Sequence, residues 1–248
     1  MSLNKVQPGS NMFQWITHTW NPIKGDQTSE KFICFHDCVY CYMKRSRAKR
    51  FYQGRIILDE KALKDSLKGK GIFVCDCTDL FAVTVPMEAI EAVVKTVLEK
   101  EPAMALFLTK NPCRYHGWID DMYRMKHRVI LGTTVETDYH KFDISRAPNP
   151  MSRISYIYGI KKLFLIPTMI SIEPVMAFSP LFAQAIITAN PDFVAIGANT
   201  TRSVKLPGPS PAEVRQLILD IRAAGIKVIV KSNLERLIGH EMYLEVKQ

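Results

Sequence analysis

Three thiols fall within eight residues at Cys34-Phe35-His36-Asp37-Cys38-Val39-Tyr40-Cys41, a C-x3-C-x2-C cluster. A structural zinc normally takes four protein ligands, whereas an iron-sulfur cluster held by three thiolates leaves one iron open. The absence of an adjacent fourth ligand therefore points to a reactive iron-sulfur cluster. Two other readings stand beside it. His36 could complete a Cys3His zinc site, although two residues from both Cys34 and Cys38 is cramped for joining them around one tetrahedral ion. Alternatively, the three cysteines are unrelated small core residues.

A second set of reactive side chains follows apolar runs: Asp79 in Thr78-Asp79-Leu80-Phe81, Thr109-Lys110, Thr134 and Glu136 in Gly132-Thr133-Thr134-Val135-Glu136, Glu173 before Pro174, and Lys231 after Val230. In a parallel β/α barrel, the C-terminal ends of the strands gather the active-site groups. The competing reading is a structural ring of ion pairs among Lys110, Glu136, Glu173 and Lys231. Cys75 and Cys77 alternate onto one strand face and read as packed thiols, with a radical hydrogen donor as the alternative. Cys113 carries no firmer signal.

The elements that must hold these groups are read from periodicity. Residues 1–12 form a loose N-terminal segment, and residues 13–248 are expected to form a single domain. Phe13 to Trp20 is apolar and β-branched and predicts a first strand, broken at Asn21-Pro22, with the cysteines on the loop beyond. The basic run Lys44 to Arg50 predicts the helix after that loop. Its five cations spread around the axis at 100° per residue, so some should edge the mouth of a site and the rest face water. From Gly71 onward strand and helix patterns alternate: strands over Ile72–Cys77, Ala105–Thr109, Val129–Val135, Leu163–Ile172, Phe193–Ile196 and Ile226–Val230, with helices between them. Ser210-Pro211-Ala212-Glu213 is a capping box with proline at the first helical position. The expectation is an α/β fold, a partial (β/α) TIM-like barrel of about six to seven parallel strands. A doubly wound sheet is the alternative, without a G-x-G-x-x-G fingerprint to favour it.

Bulk properties bound the function. With 248 residues and 47% hydrophobic content, the chain can bury a sizeable core. Six unevenly spaced cysteines in a chain this long argue for ligands and core thiols in a reducing compartment, hence the cytoplasm, rather than a disulfide framework. No run of about 20 apolar residues suits a bilayer, and no signal-peptide pattern opens the chain. The net charge of +9 favours an anionic partner.

The cysteine spacing, with Tyr40 just before Cys41, resembles the signature of the radical S-adenosylmethionine (SAM) superfamily. The resemblance implies that Cys34, Cys38 and Cys41 hold three irons of a 4Fe-4S cluster while SAM chelates the fourth. Reductive cleavage of SAM then gives a 5'-deoxyadenosyl radical that abstracts hydrogen from a substrate. Trp20-Asn21-Pro22 and the ordered stations Asp79-Leu80-Phe81, Leu108-Thr109-Lys110, Thr134-Val135-Glu136 and Glu173-Pro174 resemble a phage- and prophage-associated branch of that superfamily. Two departures from the branch are a longer polar insert, Asp26 to Lys31, and a missing Gly-Glu pair at Ile196-Gly197-Ala198-Asn199-Thr200. The Cys-x-His-x-Cys-x-Tyr-Cys-Tyr pattern is distantly similar to spore photoproduct lyase, a DNA-repair enzyme of the superfamily.

The resemblance further implies that Tyr40 shields the cluster or packs near adenine, and that Thr78 or Asp79 lies near the methionine amino group of SAM. Thr134 or Glu136 would lie near the ribose, with Thr109, Lys110 and Glu173 completing the cofactor wall. Flavodoxin or ferredoxin is the expected reductant, and a nucleic acid or nucleotide the expected substrate. The rival from a different class is a non-catalytic or electron-transfer iron-sulfur protein that docks an anionic partner through Lys44 to Arg50.

Overall fold

The computed structural model describes residues 2–201 and 203–247; Met1, the first residue of the segment expected to be loose, lies outside this set together with Arg202 and Gln248. Eight strands form one sheet in the spatial order of the chain: β1 (Leu3–Lys5), β2 (His18–Trp20), then, after a separate antiparallel pair β3 (Ile23–Gly25) and β4 (Ile56–Leu58), β5 (Gly71–Val74), β6 (Met104–Thr109), β7 (Val129–Thr134), β8 (Thr168–Ile172), β9 (Phe193–Ile196) and β10 (Lys227–Val230). β1 pairs antiparallel with β2, and every later neighbour in this sheet pairs parallel. The strand order never reverses, so there is no switch point of the kind a doubly wound sheet requires. Right-handed crossovers running one way around the sheet put all the connecting helices on one face. This is the partial barrel expected, with seven parallel strands and one antiparallel edge.

The period of two along each strand separates two cores. Outward residues Ile72, Phe107, Leu131, Ile170 and Val194 pack under the helices α1 (Met87–Lys100), α2 (Ile119–Arg124), α3 (Pro150–Phe164), α4 (Phe182–Ala189) and α5 (Pro211–Ala223). The inward residues Phe73, Leu106, Ile130, Met169 and Ala195 form a separate cluster to which no helix contributes. Instead, Phe13, Trp15 and Ile16 fill it. Gly132 lies on this inner face, where a Cβ would come within 2.7 Å of Met169 and 2.9 Å of Leu108.

Several boundaries differ from expectation. Only His18–Trp20 of the predicted Phe13–Trp20 strand is extended into the sheet; Phe13 and Ile16 are buried against the inner face, which the strands alone leave unfilled. Leu3–Lys5, inside the segment read as loose, pairs with β2 and so satisfies the backbone groups of that sheet edge. The strand expected over Leu163–Ile172 begins at Thr168, because α3 runs on to Phe164. The basic run is not one helix but two short 3-10 turns, Tyr42–Arg45 and Lys49–Tyr52. An α-helix would stack Lys44 on Arg47, Arg45 on Lys49 and Arg47 on Arg50, like-charge pairs three or four residues apart that oppose it. The chain ends in two helices not anticipated, α6 (Glu235–Ile238) and α7 (His240–Lys247). The capping box on α5 is present as read: Glu213 N donates to Ser210 Oγ at 3.2 Å, and Ser210 N donates back to Glu213 Oε2 at 2.7 Å.

Candidate active site

A cavity of about 410 Å³ opens at the C-terminal ends of the parallel strands. Its floor is apolar, from Phe13, Phe73 and Leu108, and its wall carries the polar strand ends Thr78, Asp79, Thr109, Lys110, Thr134, Glu173 and Lys231. Cys34, Cys38, Cys41 and Tyr40 line the same space. The groups selected for their chemistry thus meet around one volume, within the range that small-molecule ligands occupy. Glu136 is the exception, for it stands behind the lining and is 3% exposed.

The cysteine loop is fastened from several strand ends at once. His36 Nε2 bonds Asp79 Oδ2 at 2.9 Å, and Asp79 also accepts from Thr109 Oγ1 at 2.7 Å and from the amides of Lys110 at 2.7 Å and Phe81 at 2.9 Å. Burial alone would raise the Asp79 carboxyl, but His36, Thr109 and the Lys110 amide hold it below the usual carboxylate range. Val39 N donates to Ile144 O at 2.9 Å, Arg146 N to His36 O at 2.8 Å, and Thr201 Oγ1 to Tyr40 O at 2.7 Å. Ser145 Oγ is 3.2 Å from Cys38 Sγ. Asn21 supports the facing loop: its Nδ2 donates to Asp76 Oδ1 at 2.6 Å, and its Oδ1 accepts from Cys77 N at 3.1 Å.

Two ion-pair groups brace the wall. Glu136 is held between Lys110 Nζ and Arg153 NH1, each at 3.0 Å, and accepts from Tyr40 OH. Burial would raise its carboxyl, yet the two cations and Tyr40 hold it well below the ordinary range. After the neighbouring strand β8, Glu173 pairs with Lys231 at 2.7 Å and accepts from Asn11 at 3.0 Å and Asn233 at 2.8 Å. A Cβ at Gly197 would lie 2.8 Å from both Glu173 Oε1 and Asn233 Oδ1, so the glycine leaves room for this group. Where a Gly-Glu pair was expected, the residue after Gly197 is the buried Ala198. Arg153, Ser145, Asn11 and Asn233 were not selected from sequence. Of these only Arg153 carries a signal, as a cation at the same helical spacing as buried Ile157 and Ile160.

The donor set fits an iron-sulfur cluster. All six cysteines are free thiols; Cys34, Cys38 and Cys41 border the cavity on one loop, and Cys75 and Cys77 border it too, on the turn after β5 rather than on one face of the strand, which ends at Val74. Burial, with the neighbouring Asp79 and Cys38, pushes the Cys34 thiol up to about 12, and burial raises Cys41. A bound cation reverses that preference by stabilising thiolate. His36, 2% exposed, keeps a buried Nδ1 with no hydrogen-bond partner among the described residues. Its Nε2 bonds Asp79, the carboxylate partner that a metal-ligating histidine also has, so this contact does not separate the zinc from the cluster reading. Among the described residues, no three His, Cys, Asp or Glu side chains converge on a point where one metal ion would sit.

A family model for proteins of unknown function, DUF5131, matches residues 10–149, more than half of the chain and the whole cysteine loop. The chain belongs to the DUF5131 family. No curated protein matches its sequence. Its fold is that of spore photoproduct lyase: a point mutant of that enzyme superposes with a TM-score of 0.57 at 8% identity, over 94% of this chain and 78% of the lyase. The lyase complexed with a dinucleoside spore photoproduct gives 0.53 at 8% identity, over 93% and 76%. A double mutant with bound AdoMet and the same dinucleoside gives 0.50 at 10% identity, over 94% and 78%. Among the described residues, no helix is long and apolar enough to cross a membrane.

Proposed function

We propose that this DUF5131 protein is a radical SAM enzyme, with residues 13–248 as its catalytic domain and a nucleic acid or nucleotide as substrate. The observation that carries the reading is the placement of Cys34, Cys38 and Cys41 around one cavity at the strand C-termini, with no fourth cysteine on their loop. A 4Fe-4S cluster and SAM bound there supply reductive cleavage of the sulfonium and a 5'-deoxyadenosyl radical, with the electron drawn from flavodoxin or ferredoxin.

The chain's own residues bind and orient. Thr78, Thr109, Lys110, Thr134 and Glu173 line the cavity and offer hydrogen bonds to the amino, carboxylate and ribose groups of SAM. Lys110 supplies the cation for the carboxylate, its charge kept on by Glu136 despite burial. Asp79 and Glu136 act through neighbours: Asp79 fixes His36 and the cysteine loop, while Glu136 fixes Tyr40 and Lys110. Tyr40, with the Lys110 ammonium 5.6 Å from its ring centroid, packs with Cys38, Ile144 and Met176 and shields the cysteines on that side. The apolar floor excludes water from the reacting atoms.

The test is anaerobic reconstitution followed by incubation with SAM and dithionite. The expected outcome is 5'-deoxyadenosine from the intact chain and none from Cys34→Ala, Cys38→Ala or Cys41→Ala, with Cys113→Ala active. Iron uptake without 5'-deoxyadenosine would favour a pure electron carrier instead.

A further inference from the structure

Next in the chain after Tyr42 and Met43 of the cavity lining comes a concentration of charge that the cysteine chemistry does not use, and none of its cations lines the cavity itself. Residues 31–55 contain seven Lys and Arg and one acidic residue, a net of +6 within a chain of +9. Asp37 neutralises Lys44 at 2.5 Å, and Asp26, from outside the segment, neutralises Arg55 at 2.7 Å. Among the described residues Lys31, Arg45, Arg47, Lys49 and Arg50 have no acidic partner. The two 3-10 turns bury Met43 and Tyr52 and turn Arg45, Arg47 and Arg50 outward. The cations therefore sit on a backbone anchored in the core.

Aromatic rings alternate with them. Tyr42 is 47% exposed and Phe51 40%, unusual for large apolar side chains on so polar a segment. The Arg50 guanidinium lies 4.7 Å from the centroid of Phe51 and supports the ring from one side. Tyr42 OH donates to Asp76 O at 2.7 Å, which fixes that ring while it borders both solvent and the cavity. An acidic protein partner would call for the cations alone. Rings set among arginines suit bases stacked beside phosphates, and only unpaired bases present their faces.

We infer that the segment Tyr42 to Phe51 is a docking surface for single-stranded nucleic acid. Arg45, Arg47 and Arg50 hold phosphates, Phe51 stacks one base, and Tyr42 stacks the next at the entrance to the cavity. This rests on the proposed nucleic-acid substrate and names the residues that receive it. The surface is preorganised by its buried anchors, which limits the ordering cost of binding.

The test is fluorescence anisotropy with the full chain, as purified and after anaerobic reconstitution, with SAM omitted. The probe is an oligothymidylate of about 15 nucleotides, compared with a duplex of the same length, heparin and an acidic flavodoxin. The oligothymidylate should bind more tightly than heparin or duplex. Phe51→Ala should weaken it about tenfold and leave heparin unchanged. Replacing Arg45, Arg47 and Arg50 together by Gln should weaken both polyanions and reduce the salt slope for the oligonucleotide by about 2. Equal affinity for heparin and oligothymidylate with no effect of Phe51→Ala, or binding of flavodoxin alone, would overturn the inference. The comparison among probes on the unmodified chain decides even where a variant fails to fold. Because SAM is absent, a failure here is separate from a failure to form 5'-deoxyadenosine.

Discussion

Glu136 is the residue on which most of the wall depends. It is buried between Lys110 and Arg153, and removing its charge leaves two cations without their counterion. Breaking such a buried group typically costs about 3–5 kcal/mol, so Glu136→Gln should lower the melting temperature sharply. Glu173→Gln should cost less, about 1–3 kcal/mol, because Asn11 and Asn233 remain as donors to its oxygen. The sign with pH follows from the depressed Glu136 carboxyl. A carboxylate held below its unfolded value stabilises the fold above about pH 4, and that contribution disappears as pH falls through the folded value. Melts of the intact protein and Glu136→Gln should therefore differ widely near neutrality and converge as the solution becomes more acid. A gap that stays constant with pH would mean that the carboxylate charge contributes nothing.

At the scale of elements, the inner face is closed by a segment rather than by a helix. Phe13 packs edge-on to Phe193 at 5.9 Å and lies 4.8 Å from Lys231 Nζ, while Ile16 joins Leu106 and Ile130. Phe13→Ala should cost about 3–5 kcal/mol through the cavity it opens, whereas exposed Val83→Ala should be close to neutral. The sequence made the strands from Gly71 onward legible because burial on both faces leaves short apolar runs, and α5 legible through its capping box. The Phe13–Ile16 segment has the same β-branched and aromatic composition as a strand, and nothing local distinguishes filling a barrel from joining it. The 3-10 turns after Cys41 could be anticipated only from the like-charge spacing of Lys44 to Arg50. At the site, cysteine spacing and strand-end position selected the lining groups. The partners Arg153, Asn11 and Asn233 come from distant parts of the chain, and only the folded chain brings them beside Glu136 and Glu173.

For the whole molecule, a sheet in chain order places the C-terminal ends of its seven parallel strands on one rim, so a single cavity collects contributions from successive units. The basic segment follows Tyr42 and Met43 of the cavity lining, and the cysteine loop is tied to the segment after β9 through Thr201 Oγ1 and Tyr40 O. The central claim is that the three thiols hold a cluster with one iron left for SAM. The most direct measurement is the electron paramagnetic resonance spectrum of the anaerobically reconstituted, dithionite-reduced protein, recorded with and without SAM. An open iron predicts a reduced-cluster signal whose shape changes when SAM is added, and which is lost in Cys38→Ala. A signal unchanged by SAM, or tight zinc in place of iron, would contradict it.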